Sequence, residues 1–178
     1  LHFVKEVHFF DKPHRYNEGI EFYAKRFEEC VRHSSHKQFI MDTTPSYLNQ
    51  ARRVYKTYTN KKAENSAINN LKLICILRES ISRELSWYNH KLSIVLNGGD
   101  EKYAYDIVDE NSTIKSFDEY SDVLAQQMKE KPFLYQSLYV DHLKEWARWF
   151  DRKKFLILSY DELVQEPSTI IHRIEEFL

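Results

Sequence analysis

The sequence predicts an α/β protein, a sandwich in which helices flank a central parallel sheet, and three features support this class. Residues 71–77, LKLICIL, are apolar on both faces of a strand, as is typical of a central parallel strand covered by helices. The apolar spacing then changes to three and four residues, which predicts a helix directly after that strand. Strand and helix patterns alternate along the chain, and its 178 residues suit a single domain.

Residues 2–10, HFVKEVHFF, alternate in a way that predicts the first strand. The alternation places Glu6 and His8 on one face with Val4 and Phe10. Burying an unpaired charge is costly, so three interpretations stay open for the two polar side chains. They are paired, exposed at a sheet edge, or catalytic.

The next segments carry helix patterns and a strand pattern. Residues 18–32 have the apolar spacing of a helix, and residues 38–48 predict a short buried strand that ends before Pro45. Residues 51–58 predict a helix, and the polar residues 60–70 predict a solvated loop that leads to the strand at 71–77.

The helix after this strand is predicted to bury one apolar stripe, formed by Ile81, Leu85, Tyr88, Leu92 and Val95. Residues 97–112 predict a polar, mobile insertion, in which ligand specificity could lie. Ser116 and Glu119 have the spacing of a capping box at the start of a further helix.

The last third of the chain predicts one more strand between helices. Residues 137–150 predict an amphipathic helix whose aromatic stripe belongs first of all to the core. Residues 154–167 predict a buried strand, an acidic turn and a proline that begins the last helix.

Composition limits the classes of function. The 26 basic and 27 acidic residues nearly balance, so no overall positive field favours nucleic acid as a partner. A local basic set is interpreted as a solvated face, with a nucleic-acid surface as the alternative: Arg52, Arg53, Lys56, Lys61 and Lys62. No apolar run is long enough for a membrane segment. Cys30 and Cys75 form neither a disulfide nor a metal pattern, so no metal is expected.

Arg78 lies where the central strand ends, and Ser86 lies in the second turn of the next helix. Ligands bind outside the carboxyl ends of parallel strands, and a helix N-terminus at that place favours anions. A fixed cation and a nearby hydroxyl suit a phosphate group. The alternative is that Arg78 only caps a neighbouring group.

Two sequence motifs, in residues 77–88 and 5–11, resemble motifs of a known enzyme family. The pattern LR-E-x-x-x-R-x-x-S-x-Y, with Arg78, Arg83, Ser86 and Tyr88, resembles the 3′-phosphate-binding motif of sulfotransferases. The segment KEVHFFD, residues 5–11, is similar to a motif of heparan-sulfate sulfotransferases and related bacterial and algal enzymes. Residues 38–48 and 137–150 resemble further segments of this family, so the resemblance covers nearly the whole chain.

The resemblance implies a P-loop-like fold and the donor 3′-phosphoadenosine 5′-phosphosulfate (PAPS), without a metal. It implies that Arg78 and Ser86 bind the 3′-phosphate and that Glu6 is the general base, with His8 as its neighbour. Lys5 and Asp11 would contact the acceptor or the donor. The acceptor would be a hydroxyl, or less often an amine, of a glycan or small molecule. A eukaryotic member would work in the Golgi lumen and a bacterial one in the cytoplasm.

Three positions depart from the family pattern. Ser80 replaces a proline, Ser137 replaces a glycine, and Thr43 replaces a lysine. Ser80 still suits a helix start. Thr43 cannot supply the positive charge of the lysine, which bears on the recognition of an acidic glycan.

The family's phosphosulfate-binding loop, which precedes the KEVHFFD-like strand, has no counterpart in the sequence. The three glycines are Gly19, Gly98 and Gly99, and no G-x-x-x-x-G-K-[ST] occurs, which disfavours a P-loop kinase. The expectation is a domain truncated at its N-terminus, and possibly at its C-terminus, that binds the 3′-phosphate but does not transfer sulfate alone. A non-catalytic nucleotide- or glycan-binding module is the remaining alternative.

Overall fold

A computed structural model describes residues 2–4, 6–28, 39–59, 66–99, 105–131 and 135–178. The strands are β1 (His2–Val4), β2 (Ile40–Asp42), β3 (Leu73–Leu77) and β4 (Phe155–Ser159). The helices are α1 (Pro13–Asn17), α2 (Ile20–Lys25), α3 (Ala51–Thr59), α4 (Ser66–Asn70), α5 (Ser80–Leu96), α6 (Phe117–Glu130), α7 (Tyr139–Trp149), α8 (Tyr160–Gln165) and α9 (Pro167–Phe177). Short 3-10 turns cover Pro45–Tyr47 and Arg152–Lys154.

The strands pair in parallel, as the sequence predicts. β1 pairs with β2, and β3 pairs with β4 in a register that places Leu77 opposite Ser159. The described strands form two two-stranded sheets. Ile76 on β3 is 43% exposed, so the prediction that this strand is covered on both faces is wrong for the described residues. Ile40 on β2 is 44% exposed, so the predicted burial of that strand is also incomplete.

The main core is aromatic and lies between α3, α7 and the segment that follows β1. Its buried members are Val7, Phe9, Phe10, Tyr23, Phe27, Ala51, Val54, Trp146 and Phe150. The indole of Trp146 also donates a hydrogen bond to the Leu48 carbonyl, at 2.6 Å. The prediction that the aromatic stripe of residues 137–150 belongs to the core is confirmed.

The predicted strand over residues 2–10 is wrong from Glu6 onward. Glu6 and His8 have φ angles of 52° and 53°, which no strand contains. The consecutive side chains of Phe9 and Phe10 are both buried, although strand alternation would place them on opposite faces. The chain therefore turns at residues 6–11, and strand alternation does not describe its side chains.

Within the described residues, the predicted helix over residues 18–32 is shorter than expected, because α2 begins at Ile20 and ends at Lys25. Gly19 has a φ of 86° between α1 and α2, a conformation that L side chains rarely adopt. Buried Tyr23 and Phe27 keep the helical spacing that the sequence indicated, and residues 29–38 lie outside the described part.

The predicted strand over residues 38–48 contains only β2, and its chain then enters the 3-10 turn at Pro45. Within the predicted loop over residues 60–70, residues 66–70 form α4, and residues 60–65 are not described. The predicted helix over residues 51–58 is confirmed as α3.

Helix α5 begins and ends close to the predicted positions, but its apolar stripe is only half buried. Tyr88 is buried, whereas Ile81 is 69% exposed and Leu85 is 41% exposed. The first turns of α5 therefore present an apolar face that the described residues do not cover.

The predicted polar insertion over residues 97–112 contains the most buried side chain of a second core. Ile107 is 0% exposed and packs with Tyr88 and Tyr120. The Lys91 ammonium, which is buried, forms an ion pair with Asp106. The described part of this segment is therefore fixed to α5, contrary to the prediction.

The C-terminal elements agree with the sequence, except that the predicted acidic turn forms the helix α8. Ser116 and Glu119 form the predicted capping box at the start of α6. β4 is followed by the acidic helix α8, and Pro167 begins α9.

Candidate active site

The first group of candidate residues lies on the turn that follows β1. Two of its residues, Glu6 and His8, adopt the left-handed conformation that is uncommon for residues other than glycine. Such conformations cost about 1–3 kcal/mol each and persist only where surrounding contacts hold them. The contacts that hold this turn are side chains from distant parts of the chain.

Two hydroxyl groups from the segment after β2 bind consecutive amides of the turn. The His8 amide donates to Thr44 Oγ1 at 3.1 Å, and the Phe9 amide donates to the Tyr47 hydroxyl at 2.8 Å. Both hydroxyls in turn donate to the Asp42 carboxylate, at 2.7 and 2.8 Å. Asp42 therefore polarises two hydrogen-bond chains that end on the turn.

The carbonyls of the same turn are bound by arginines. Arg15 donates to the Val7 carbonyl at 2.5 Å, and Arg53 donates to the Phe10 carbonyl at 2.6 Å. The backbone of residues 7–10 is thus held by side chains and not by a strand ladder, which explains its departure from the predicted strand.

Four polar side chains meet on this turn. The His8 ring lies with Nδ1 2.7 Å from Asp11 Oδ2 and with Nε2 3.8 Å from Glu6 Oε2. Ser46 Oγ donates to the same Asp11 oxygen at 2.6 Å. The Glu6 side chain is 47% exposed, whereas that of Asp11 is only 10% exposed. Glu6 therefore faces solvent, whereas the mostly buried Asp11 contacts His8 Nδ1 from the protein interior.

The Asp11 carboxyl has a lowered pKa. Burial raises the pKa, but hydrogen bonds from Ser46 and His8, with the charge of His8, outweigh this and favour the ionised form. The folded state thus holds Asp11 ionised more strongly than the unfolded state, whose Asp pKa is about 3.9.

This pKa difference predicts an acid-dependent loss of stability. The unfolded chain binds the extra proton, so the Asp11 contribution is present above about pH 4 and is lost as the pH falls through the lowered folded pKa. Between pH 7 and pH 3, the Tm of the wild-type protein should therefore fall more than that of Asp11→Asn. Asp122→Asn, an exposed carboxylate on α6, is the control. Equal Tm losses in wild type and Asp11→Asn would contradict the assignment.

The second group of candidate residues lies at the carboxyl ends of β3 and β4. Arg78 follows β3 and Tyr160 follows β4, and the pairing of Leu77 with Ser159 makes them neighbours. The Arg78 guanidinium lies 5.1 Å from the centre of the Tyr160 ring. Among the described residues Arg78 forms no ion pair with a carboxylate, so its charge is available to a ligand.

Arg78 borders two open cavities. One, of about 610 Å³, is lined by residues at the ends of β3 and β4, including Ser80, Tyr139 and Arg173. The other, of about 350 Å³, is lined by Arg78, Arg83, Ser86, Trp87 and His90. The structure therefore places Arg78 and Ser86 around one cavity.

The N-terminus of α5 is capped by the chain itself. The Glu79 carboxylate accepts hydrogen bonds from the amides of Ile81 and Ser82, at 2.9 and 2.7 Å. These bonds lower the pKa of Glu79. An anion beside Arg78 would therefore be held by side chains, and not by the free helix amides that the sequence suggested.

Arg83 has a structural set of partners. It donates to Glu84 at 2.5 Å, to the Ser137 hydroxyl at 2.9 Å and to Gln136 at 3.1 Å. The Ser137 hydroxyl also donates to the Glu84 carboxylate, and the Ser137 backbone carbonyl accepts from the Ser80 hydroxyl. The two serines that depart from the family pattern thus contact each other and join α5 to the segment before α7.

The structure brings Glu6, His8 and Asp11 together, and it places Arg78 and Ser86 around a separate cavity. Lys5 lies outside the described residues. The sequence analysis missed Thr44, Ser46 and Tyr47 as supports of the turn, although Asp42 with a hydroxyl residue two positions later is a known turn signal.

Three further features of the described residues concern metal ligands, membrane-spanning helices and cysteines. Among the residues that the structure describes, no group of three or more His, Cys, Asp or Glu could hold a metal ion. Within the same residues, no helix has the length and apolar character required to cross a membrane. Cys75 is half-buried and free, and burial raises the pKa of its thiol to about 11, whereas Cys30 is not described.

The fold and the two clusters define an α/β protein with a carboxylate–imidazole group and, at the strand ends, an arginine that forms no carboxylate ion pair among the described residues. The sequence model of the sulfotransferase domain matches residues 2–178. The chain therefore belongs to the sulfotransferase domain family.

Individual relatives agree with the family. The chain is 29% identical over 179 residues to heparan sulfate glucosamine 3-O-sulfotransferase 5 of Homo sapiens. This alignment covers 98% of the chain and 44% of the relative. The chain is 23% identical over 178 residues to bifunctional heparan sulfate N-deacetylase/N-sulfotransferase 1 of Caenorhabditis elegans, over 98% of the chain and 18% of the relative. The chain thus spans less than half the length of these relatives.

A solved structure confirms the predicted fold class. A sulfotransferase from Alicyclobacillus acidocaldarius superposes with a TM-score of 0.59 at 19% identity, over 98% of this chain and 68% of that one. The α/β, P-loop-like fold predicted from the sequence is therefore confirmed.

Proposed function

We propose that this domain transfers a sulfuryl group from PAPS to a hydroxyl group of a glycan. The observation that carries the proposal is the cluster on the turn after β1, where His8 binds Asp11 at 2.7 Å and faces Glu6 at 3.8 Å. Membership of the sulfotransferase domain family and the names of its relatives, heparan sulfate sulfotransferases, support the reaction and the acceptor class.

Glu6 is assigned as the general base. Its carboxylate is exposed enough to meet an acceptor, and its distance from His8 Nε2 is too long for a direct hydrogen bond. Both groups can therefore contact one acceptor hydroxyl between them. Glu6 takes the hydroxyl proton while the acceptor oxygen forms a bond to sulfur. The bond from sulfur to the bridging oxygen breaks, and its electron pair leaves with 3′-phosphoadenosine 5′-phosphate.

Asp11 is assigned to the orientation of His8. Its side chain is mostly buried and is bound by His8 and Ser46, so it supports the imidazole in place of contacting the acceptor directly. The acceptor or donor contact proposed for Lys5 remains a prediction, because Lys5 lies outside the described residues.

Arg78 and Ser86 are assigned to the 3′-phosphate of the nucleotide. The support is their shared cavity and the absence of a carboxylate partner for Arg78 among the described residues. A guanidinium and a hydroxyl supply the charge-assisted and neutral donors that a phosphate monoester requires.

The acceptor class can be narrowed by Thr43. This position carries a hydroxyl where the family pattern has a lysine, so the site lacks one positive charge for an acidic glycan. We therefore propose a glycan hydroxyl in a less anionic context than highly sulfated heparan chains.

An acceptor panel tests this function. The full-length protein would be incubated with ³⁵S-labelled PAPS and glycans that range from neutral to highly sulfated. We expect label to enter glycan hydroxyls, with neutral or weakly acidic chains preferred. Transfer to none of the glycans would contradict the proposed function. The same assay with the 178 residues alone tests whether the phosphosulfate-binding groups lie elsewhere, which remains a prediction.

A further inference from the structure

Ser46 contacts the His8–Asp11 pair but has no role in the proposed reaction. It lies in the 3-10 turn Pro45–Tyr47, and its hydroxyl donates to Asp11 Oδ2 at 2.6 Å. The same hydroxyl lies 3.4 Å from His8 Nδ1. We propose that Ser46 is a positioning residue that fixes the tautomer and orientation of His8 through Asp11.

His8 and Ser46 share one carboxylate oxygen of Asp11. Asp11 Oδ2 is 2.7 Å from His8 Nδ1 and 2.6 Å from Ser46 Oγ. A carboxylate oxygen can only accept, so the neutral His8 ring carries its proton on Nδ1. Nε2 then has a free lone pair on the side that faces Glu6.

Asp11 depends on Ser46 for its own position. Its other oxygen, Oδ1, is buried and has no hydrogen-bond partner among the described residues. Ser46 is therefore the one side chain other than His8 that holds this carboxylate within the described part of the chain. Without Ser46, His8 would be the one side chain that binds this carboxylate among the described residues.

Ser46 is itself held on a rigid element. Pro45 fixes one backbone angle before it, and Tyr47 after it is anchored to Asp42 by a hydrogen bond of 2.8 Å. The hydroxyl is therefore presented to Asp11 from a segment that cannot easily turn away. Removal of the hydroxyl should free Asp11 and His8 while leaving the turn itself intact.

Among the described residues, none of the charged side chains near the His8–Asp11 pair can replace the hydrogen bond that Ser46 donates to Asp11. Glu6 faces the opposite ring nitrogen, and Arg15 and Arg53 are bound to the carbonyls of Val7 and Phe10. Asp42, on the β2 side, is an acceptor and is already bound by Thr44 and Tyr47. None of these groups donates to Asp11.

The direct test is the His8 tautomer, measured by ¹⁵N NMR of the imidazole nitrogens at a pH where the ring is neutral. His8→Gln assigns the signal. We expect the Nδ1–H form to dominate in the wild-type protein, a larger share of the Nε2–H form in Ser46→Ala, and recovery in Ser46→Thr, which keeps the hydroxyl. Ser121→Ala, which removes a hydroxyl bound to a carbonyl on α6, is the control. An unchanged His8 tautomer in Ser46→Ala would overturn the proposal.

The kinetic test rests on the proposed function. In the full-length protein, kcat for sulfuryl transfer should fall roughly 10- to 100-fold in Ser46→Ala, with the KM values for donor and acceptor nearly unchanged. A shifted tautomer with normal kcat would contradict a catalytic purpose for Ser46. If the wild-type protein transfers no sulfuryl group, the proposed function fails, and the tautomer measurement still decides whether Ser46 positions His8.

Discussion

Glu6→Gln should lower kcat for sulfuryl transfer by about 10²–10⁴-fold, the range that a positioned general base supplies. Glutamine keeps the shape of the side chain and one hydrogen-bond acceptor, but it cannot take the acceptor proton. Nucleotide affinity should remain nearly constant, because Arg78 and Ser86 line a cavity that does not include Glu6. Single-turnover kinetics with the full-length protein, together with calorimetric nucleotide binding, would measure both effects.

The control for this variant is Glu18→Gln, an exposed carboxylate between α1 and α2. It removes the same charge at an exposed position without a contact to His8. A nearly normal rate in Glu6→Gln would mean that Glu6 is structural, and His8 would become the candidate base. A large loss of rate in Glu18→Gln would point to a general charge effect.

Arg78→Ala should weaken the binding of 3′-phosphoadenosine 5′-phosphate by roughly 10- to 100-fold, which corresponds to about 1.5–3 kcal/mol for hydrogen bonds to a charged group. Adenosine 5′-phosphate lacks the 3′-phosphate, so its affinity should change little. The lost discrimination between the two nucleotides is the specific signature of a 3′-phosphate contact. Because Arg78 is only partly buried, the effect should be smaller at high ionic strength.

Arg173→Ala is a matched control, because Arg173 lines the larger cavity beside Arg78 but is paired with Glu162 at 3.1 Å. It should leave the preference for the 3′-phosphorylated nucleotide unchanged. Equal affinity of the wild-type protein for the two nucleotides, measured by calorimetry, would refute the assignment of Arg78 and Ser86.

The β3–α5 unit could be predicted from the sequence because its signals are local. Residues 73–77, LICIL, are apolar throughout, and the following spacing changes at once to that of a helix. The capping box at Ser116 is similarly local, since both of its residues lie within one turn. The resemblance added the 3′-phosphate motif, and the structure then placed Arg78 and Ser86 around one cavity.

The turn after β1 could not be predicted in this way. HFVKEVHFF satisfies strand alternation, but its amides are bound by hydroxyls 36 and 38 residues further along the chain. Such partners are set by tertiary contacts, which override a local pattern. The same reason explains residue 107: a buried isoleucine in a polar segment is recognised only once α5 and α6 are beside it.

The exposure of Ile81 and Leu85 has a similar cause. Helical spacing indicates that these residues share a face with Tyr88, but only packing decides where along the helix that face is covered. Tyr88 lies where α6 and residues 105–115 pack, and the first turns of α5 lie beyond them.

The most direct test of the central claim is a transfer assay of the full-length protein with two labelled donors and one glycan acceptor. One donor is ³⁵S-labelled PAPS, and the other is ATP labelled with ³²P on its γ-phosphate. The account predicts that ³⁵S enters the glycan, that Glu6→Gln abolishes most of this transfer, and that no ³²P is transferred. Transfer of ³²P would instead show a kinase, and binding of the nucleotide without any transfer would show a non-catalytic module.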